Sequence, residues 1–235
     1  MRSDVRHDLK RDKFAETTTE TMHWAVEHRS RVILYGSVLL AVLVLGISYV
    51  AVRRSQEQTA SIALANAMET YGAPIVPAGT PAQPGVTTFT SSKDRAKSAN
   101  AEFGKIADKY STKSGKIAHY MQGVTYGDMG DYADAEKTLK DVADHGGADL
   151  SNLAKFALAS VYRENNREAD AISVYQDIES HPSPSVGKTM ADIELASLYS
   201  TKQPDKAKII LQQIVKDNPN SDIAQLATEK LAAIK

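Results

Sequence analysis

Cysteine is absent from this chain of 235 residues, which excludes disulfides, zinc centres built on thiolates and thiol catalysis. A surplus of either charge is missing too: 28 Lys and Arg stand against 29 Asp and Glu with the signs mixed, so no basic footprint for nucleic acid is present. Aromatic residues are sparse at 6%, with one tryptophan, Trp24. The six histidines, His7, His23, His28, His119, His145 and His181, are scattered, and no two have the i, i+4 spacing of a helical metal site. Asp128, Asp131 and Asp134 alternate with Gly and Tyr without the ligand order of a calcium loop and read as turn and capping residues. A Gly-rich phosphate loop, a nucleophile elbow and a Ser/His/Asp constellation are all lacking. The residues therefore imply neither an enzyme nor a cofactor.

What is present begins with Val32 to Val52, twenty-one consecutive residues without a charge, closed by Arg29 and Arg31 on one side and by Arg53 and Arg54 on the other. At about 1.5 Å of helical rise per residue this run reaches roughly 32 Å, against a hydrocarbon core of about 30 Å. It reads as one transmembrane helix, with Tyr35 and Tyr49 near the two interfaces, rather than as a buried core helix. Ala65-Asn66-Ala67 has the small-x-small form of a peptidase site. The long head, the long apolar run and the thirteen-residue gap from Val52 to Ala65 favour an uncleaved signal anchor instead. Residues 1–31 carry seven Lys/Arg against six acids, while the first twenty residues beyond the span carry only Arg53 and Arg54 as basic groups. This positive-inside bias puts the head in the cytoplasm and, in a bacterial inner membrane, the 183-residue tail in the periplasm. A helix is expected to lead into the span, with Trp24 at the membrane surface.

Beyond the span, Ser55 to Tyr71 reads as a continuing helix ended by Gly72. Residues 72–92 hold four prolines and no Asp, Glu, Lys or Arg, which is a loop by composition and is read as disordered rather than as a binding element. From Lys93 onward the chain is helical by pattern and repetitive. Leu158-Ala159-Ser160-Val161-Tyr162 returns as Leu195-Ala196-Ser197-Leu198-Tyr199 thirty-seven residues later. Thirty-six residues earlier, Gln122-Gly123-Val124-Thr125-Tyr126 keeps the small residue and the tyrosine. Each is followed by a polar turn and a second helix that begins with a small residue: Ala135, Ala171 or Ala207. Small residues on both sides let paired helices approach, and Tyr126, Tyr162 and Tyr199 fill the space beside the contact. Gly130, Asn165-Asn166 and Pro204 fall in the turns, and Pro219 closes the last pair.

This spacing resembles the tetratricopeptide repeat, with Gly123, Tyr126, Gly130, Tyr132 and Ala135 on the family's positions. The expected fold is all-α: a single N-terminal transmembrane helix followed by an α-solenoid of helical hairpins. Residues 53–115 would be a helical lead-in and an interrupted repeat, with Leu64, Ala65 and Met68 on its first helix, Ala99, Phe103 and Ile106 on its second, and the Pro-rich stretch 72–92 as an insertion. Residues 116–220 would hold three repeats, and 221–235 a capping helix started by Ser221.

In the repeat family the first helix of each pair lines a groove. Counting along the copies places Ile117, Leu153 and Met190 at one groove position, and Tyr120, Phe156 and Ile193 at another. An exposed stripe of this kind would hold an apolar segment of a partner. A carboxylate clamp is disfavoured, because the matching positions are apolar or Ser. Packing between neighbouring repeats is the competing role for the six. The layout as a whole resembles the family of the ancillary SecYEG translocon subunit and the cell-division coordinator repeat domains. That resemblance implies a membrane-anchored scaffold whose partners are the translocon, exported chains or periplasmic chaperones. The alternative is an envelope-assembly or cell-division adaptor that binds one folded partner. Self-association through Gly36, Gly46 or the repeats is left open.

Overall fold

The computed structural model describes residues 26–79 and 85–234. The lead-in helix before the span, the placement of Trp24, and Pro81 and Pro84 of the insertion lie outside the described residues. Among the described residues there are nine helices and no strand: α1 (Arg29–Tyr71), α2 (Ser92–Lys109), α3 (Lys113–Met129), α4 (Tyr132–His145), α5 (Ala148–Glu164), α6 (Glu168–Ser180), α7 (Lys188–Lys202), α8 (Pro204–Asp217) and α9 (Asp222–Ala233). The chain divides into two compact units, Met1–Ser55 and Gln56–Lys235.

In the first unit α1 is long and apolar enough to cross a membrane: its most apolar 18-residue window has a mean hydropathy of 2.3, and none of that window is buried by protein. Gly36 and Gly46 have nothing within 4 Å of where a Cβ would stand. Near the end of the apolar run the Arg53 guanidinium lies 5.6 Å from the Tyr49 ring centre and donates to its hydroxyl at 3.0 Å.

The second unit is a stack of antiparallel helix pairs, α3 with α4, α5 with α6 and α7 with α8, with α9 packed on α8. The small-residue positions explain the close pairing. A Cβ on Gly123 would stand 2.7 Å from Leu139 Cδ2, and Ala159, Ala196, Ala135, Ala171 and Ala207 are wholly buried. Tyr162 and Tyr199 are buried beside them and Tyr126 is half-buried. The turns repeat their chemistry as well. Gly130 ends α3 at φ 80°, and the Asp131 amide returns to the Tyr126 carbonyl at 2.9 Å. Asn166 does the same after α5 at φ 57°, with the Arg167 amide on the Tyr162 carbonyl at 2.7 Å. The third turn is shorter and starts α8 with Pro204, where the missing N–H has no intrahelical partner to lose. Thr112 and Ser221 cap α3 and α9 through their hydroxyls.

The part of α1 inside this unit packs with α2 as an earlier pair. Glu57 accepts from the Ser114 hydroxyl at 2.8 Å and the Ser114 amide at 3.2 Å, and Tyr71 donates to Asp128 at 2.9 Å. Both contacts join residues 57 apart, so α1 and α3 run parallel and in register. The step between the later pairs is 36 and then 37 residues, and most of the excess here is the long connection 72–91. The buried face of α1 here is Ala60, Ala63, Leu64, Ala67 and Tyr71, packed on Ala99, Phe103 and Ile106. Ala65 and Met68, placed on that face by the sequence pattern, are exposed instead. The expectation of disorder for the insertion does not hold at its stem. Ile75 bridges Phe89, the Val76 amide donates to the Phe89 carbonyl at 2.8 Å, and Arg95 holds the Ala73 carbonyl at 3.2 Å.

Candidate partner-binding face

The first helices of the repeats, α3, α5 and α7, carry equivalent positions at 36- and 37-residue steps, so Val124, Ser160 and Ser197 share one face of the stack. Tyr120, Leu153 and Phe156 line a cleft of about 210 Å³ between α3 and α5. All three are half-buried, and the Phe156 ring stands edge-on to the buried Tyr175 ring at 5.4 Å. Burial pushes the Tyr120 phenol above its ordinary pKa. The other three residues of the expected stripe lie elsewhere: Ile117 is half-buried, Met190 is 44% exposed and Ile193 is buried at 6%. None of these three lines the cleft. Ile193 is part of the large buried core, whereas Tyr120 and Phe156 pack at its edge and border the α3–α5 cleft.

The mouth of this cleft holds two carboxylates that the apolar pattern did not reveal, Asp128 from α3 and Glu164 from α5. They are equivalent positions one turn beyond Val124 and Ser160, so the repeat alignment itself could have found them. Asp128 accepts from Tyr71, whose pKa is pushed up to about 12 by burial and by that carboxylate. Across the next seam Arg163 reaches Glu194 at 2.6 Å. The seam between α7 and α9 opens again into a cavity of about 430 Å³, lined by Ser197, Ser200, Thr201, Lys230 and Ile234. There Lys230 donates to the Ser197 hydroxyl at 3.0 Å and makes no ion pair among the described residues. The face thus bears an apolar cleft rimmed by acid at one end and a hydroxyl-lined cavity with a cation at the other.

A third cavity of about 220 Å³ lies on a different edge, beside His119, Asp141 and His145. Asp141 stands 3.5 Å from His119 Nδ1 and 3.2 Å from His145 Nδ1. One repeat later the same positions are Lys155, Asp177 and His181, with Lys155 on Asp177 at 2.6 Å, so this is a recurring polar cluster. Lys155 and then His181 hold the Asp177 carboxyl below its ordinary pKa. Among the described residues no group of three or more His, Cys, Asp or Glu is placed to hold a metal ion.

A family model described as a tetratricopeptide repeat-like domain matches residues 23–182, and one described as a tetratricopeptide repeat matches residues 194–221. No curated protein and no solved structure matches the chain. The first match spans more than half of the 235 residues and takes in both the apolar helix and the first two helical repeats, and this chain therefore belongs to the tetratricopeptide repeat-like domain family.

Proposed function

We propose that this protein is a single-pass, membrane-anchored scaffold of the bacterial inner membrane, with its N-terminus in the cytoplasm and its repeat domain in the periplasm, acting as an ancillary subunit of the protein-export translocon. The observation that supports an anchored repeat scaffold is the family match, which begins at residue 23 and so takes in the apolar helix together with the repeats. Repeat stacks of this kind present an extended surface to other proteins. Ala60, the first buried residue of the repeat domain, comes eight residues after Val52. Such a short tether keeps the domain near the bilayer and raises its effective concentration for partners in the same membrane. On this reading the span meets the translocon, and the α3–α5 cleft meets exported chains or periplasmic chaperones. Tyr120, Leu153 and Phe156 form the contact.

The test is in-cell crosslinking from photoreactive residues at Tyr120, Phe156 and Leu43. Translocon subunits attached at Leu43, with exported chains or chaperones at the cleft, support the proposal. A single envelope or division protein at the cleft and no translocon at the span would overturn it in favour of a dedicated adaptor.

A further inference from the structure

The α3–α5 cleft combines two features that together specify a ligand. Its floor, Tyr120, Leu153 and Phe156, is apolar and has room for one large side chain. Its mouth holds Asp128 and Glu164, contributed by two different helices, and neither carboxylate makes an ion pair among the described residues. The cations nearby are committed elsewhere. Arg163 bridges to Glu194 at 2.6 Å, and Arg95 stands 5.8 Å from the Tyr71 ring centre while donating to the Ala73 carbonyl. Uncompensated carboxylates beside an apolar recess attract a cation that carries, or neighbours, an apolar side chain. We infer that this cleft receives an apolar side chain of a partner protein flanked by Lys or Arg. Lys230, without a carboxylate partner at the far end of the same face, opposes a cation there, so the preference is confined to one end.

The inference rests on the reading of this face as a partner-binding surface, and the test separates the two. The full chain in detergent micelles is titrated with fluorescent peptides that share a central Leu-Phe pair and differ only in flanking Lys, Gln or Glu. The Lys-flanked peptide is expected to bind about fivefold to tenfold more tightly than the Gln-flanked one, and the preference shrinks at high salt. In Asp128→Asn/Glu164→Gln that ratio falls to near one. Because Asp128 also holds Tyr71, Glu164→Gln alone is measured beside it and is expected to lower the ratio part of the way. Ala157→Leu, which fills the cleft, weakens all three peptides. A Lys preference that survives the double variant overturns the inference and leaves the binding face standing. Failure of Ala157→Leu to weaken the Gln-flanked peptide, or binding of none of the peptides, overturns the face and the inference together.

Discussion

At the scale of single residues the repeats solve one problem in two ways. Gly130 and Asn166 occupy the same turn in successive copies, with φ 80° and 57°, a region that Gly enters freely and Asn tolerates through its short polar side chain. Gly130→Asn is therefore expected to cost under about 1 kcal/mol and Gly130→Val about 2 kcal/mol or more, read as thermal denaturation midpoints. Gly115 is under a tighter constraint, since a Cβ there would stand 1.6 Å from the Tyr110 carbonyl oxygen. The repeat pattern revealed Gly123, because Ala159 and Ala196 echo it, and concealed Gly115, whose counterpart one copy later is Ser151. Glu136 is the residue most exposed to acid. It accepts from Lys140 at 2.6 Å, Arg167 at 2.5 Å and Tyr162 at 3.0 Å, and these hydrogen bonds, Lys140 foremost, hold its carboxyl at about 2 against an ordinary 4.5. A depressed folded-state pKa contributes stability that is complete above pH 4.5 and lost as pH falls toward 2. With solvent screening the contribution is on the order of 1 kcal/mol. Glu136→Gln should flatten that part of the melting-temperature profile; an unchanged profile would show that the network carries no linkage.

At the scale of elements, α2 and α3 are joined by a buried polar contact. Asn100 donates to Thr125 Oγ1 at 2.9 Å and to the Gln122 carbonyl at 3.0 Å, with Thr125 wholly buried. Thr125→Val leaves the Asn100 amide short of an acceptor and is expected to cost about 1–3 kcal/mol. Adding Asn100→Leu should recover part of that loss, and a purely additive double-variant cycle in denaturant would contradict the coupling. The helices α3 to α9 were legible because small residues, tyrosines and turn formers recur at fixed steps. The face of α1 was not. From Ile62 to Met68 the helix is apolar on several sides, so periodicity cannot choose between Ala63–Leu64–Ala67 and Ala65–Met68, and only packing on Phe103 and Ile106 decides. The cleft was half legible: Tyr120, Leu153 and Phe156 follow from counting, whereas Ile193, at the position equivalent to Phe156, is buried in the core, which counting does not reveal.

At the scale of the repeat domain there are two cores among the described residues. The larger gathers the buried residues of α4 to α9, and the smaller holds Ala67, Ala99, Phe103, Ile106 and Ala118. Contacts in a stack are local, so each pair has its own opening free energy set by the apolar area that it and its neighbours bury. Amide hydrogen exchange should therefore show α2 and residues 60–71 opening at lower free energy than α5 to α8; equal protection throughout would mean that the domain opens only as a whole.

The parallel register of α1 with α3 has a practical consequence. Twenty residues, 72–91, connect α1 to α2, yet Glu57–Ser114 and Tyr71–Asp128 keep one common offset along α1 and α3. The phase of the stack is thus indifferent to chain length at this point, and the Ile75–Phe89 bridge holds the two ends together. A fluorescent reporter or an epitope spliced in between Val76 and Val86 would ride on the repeats as cargo, making this loop a natural port for following the protein in living cells.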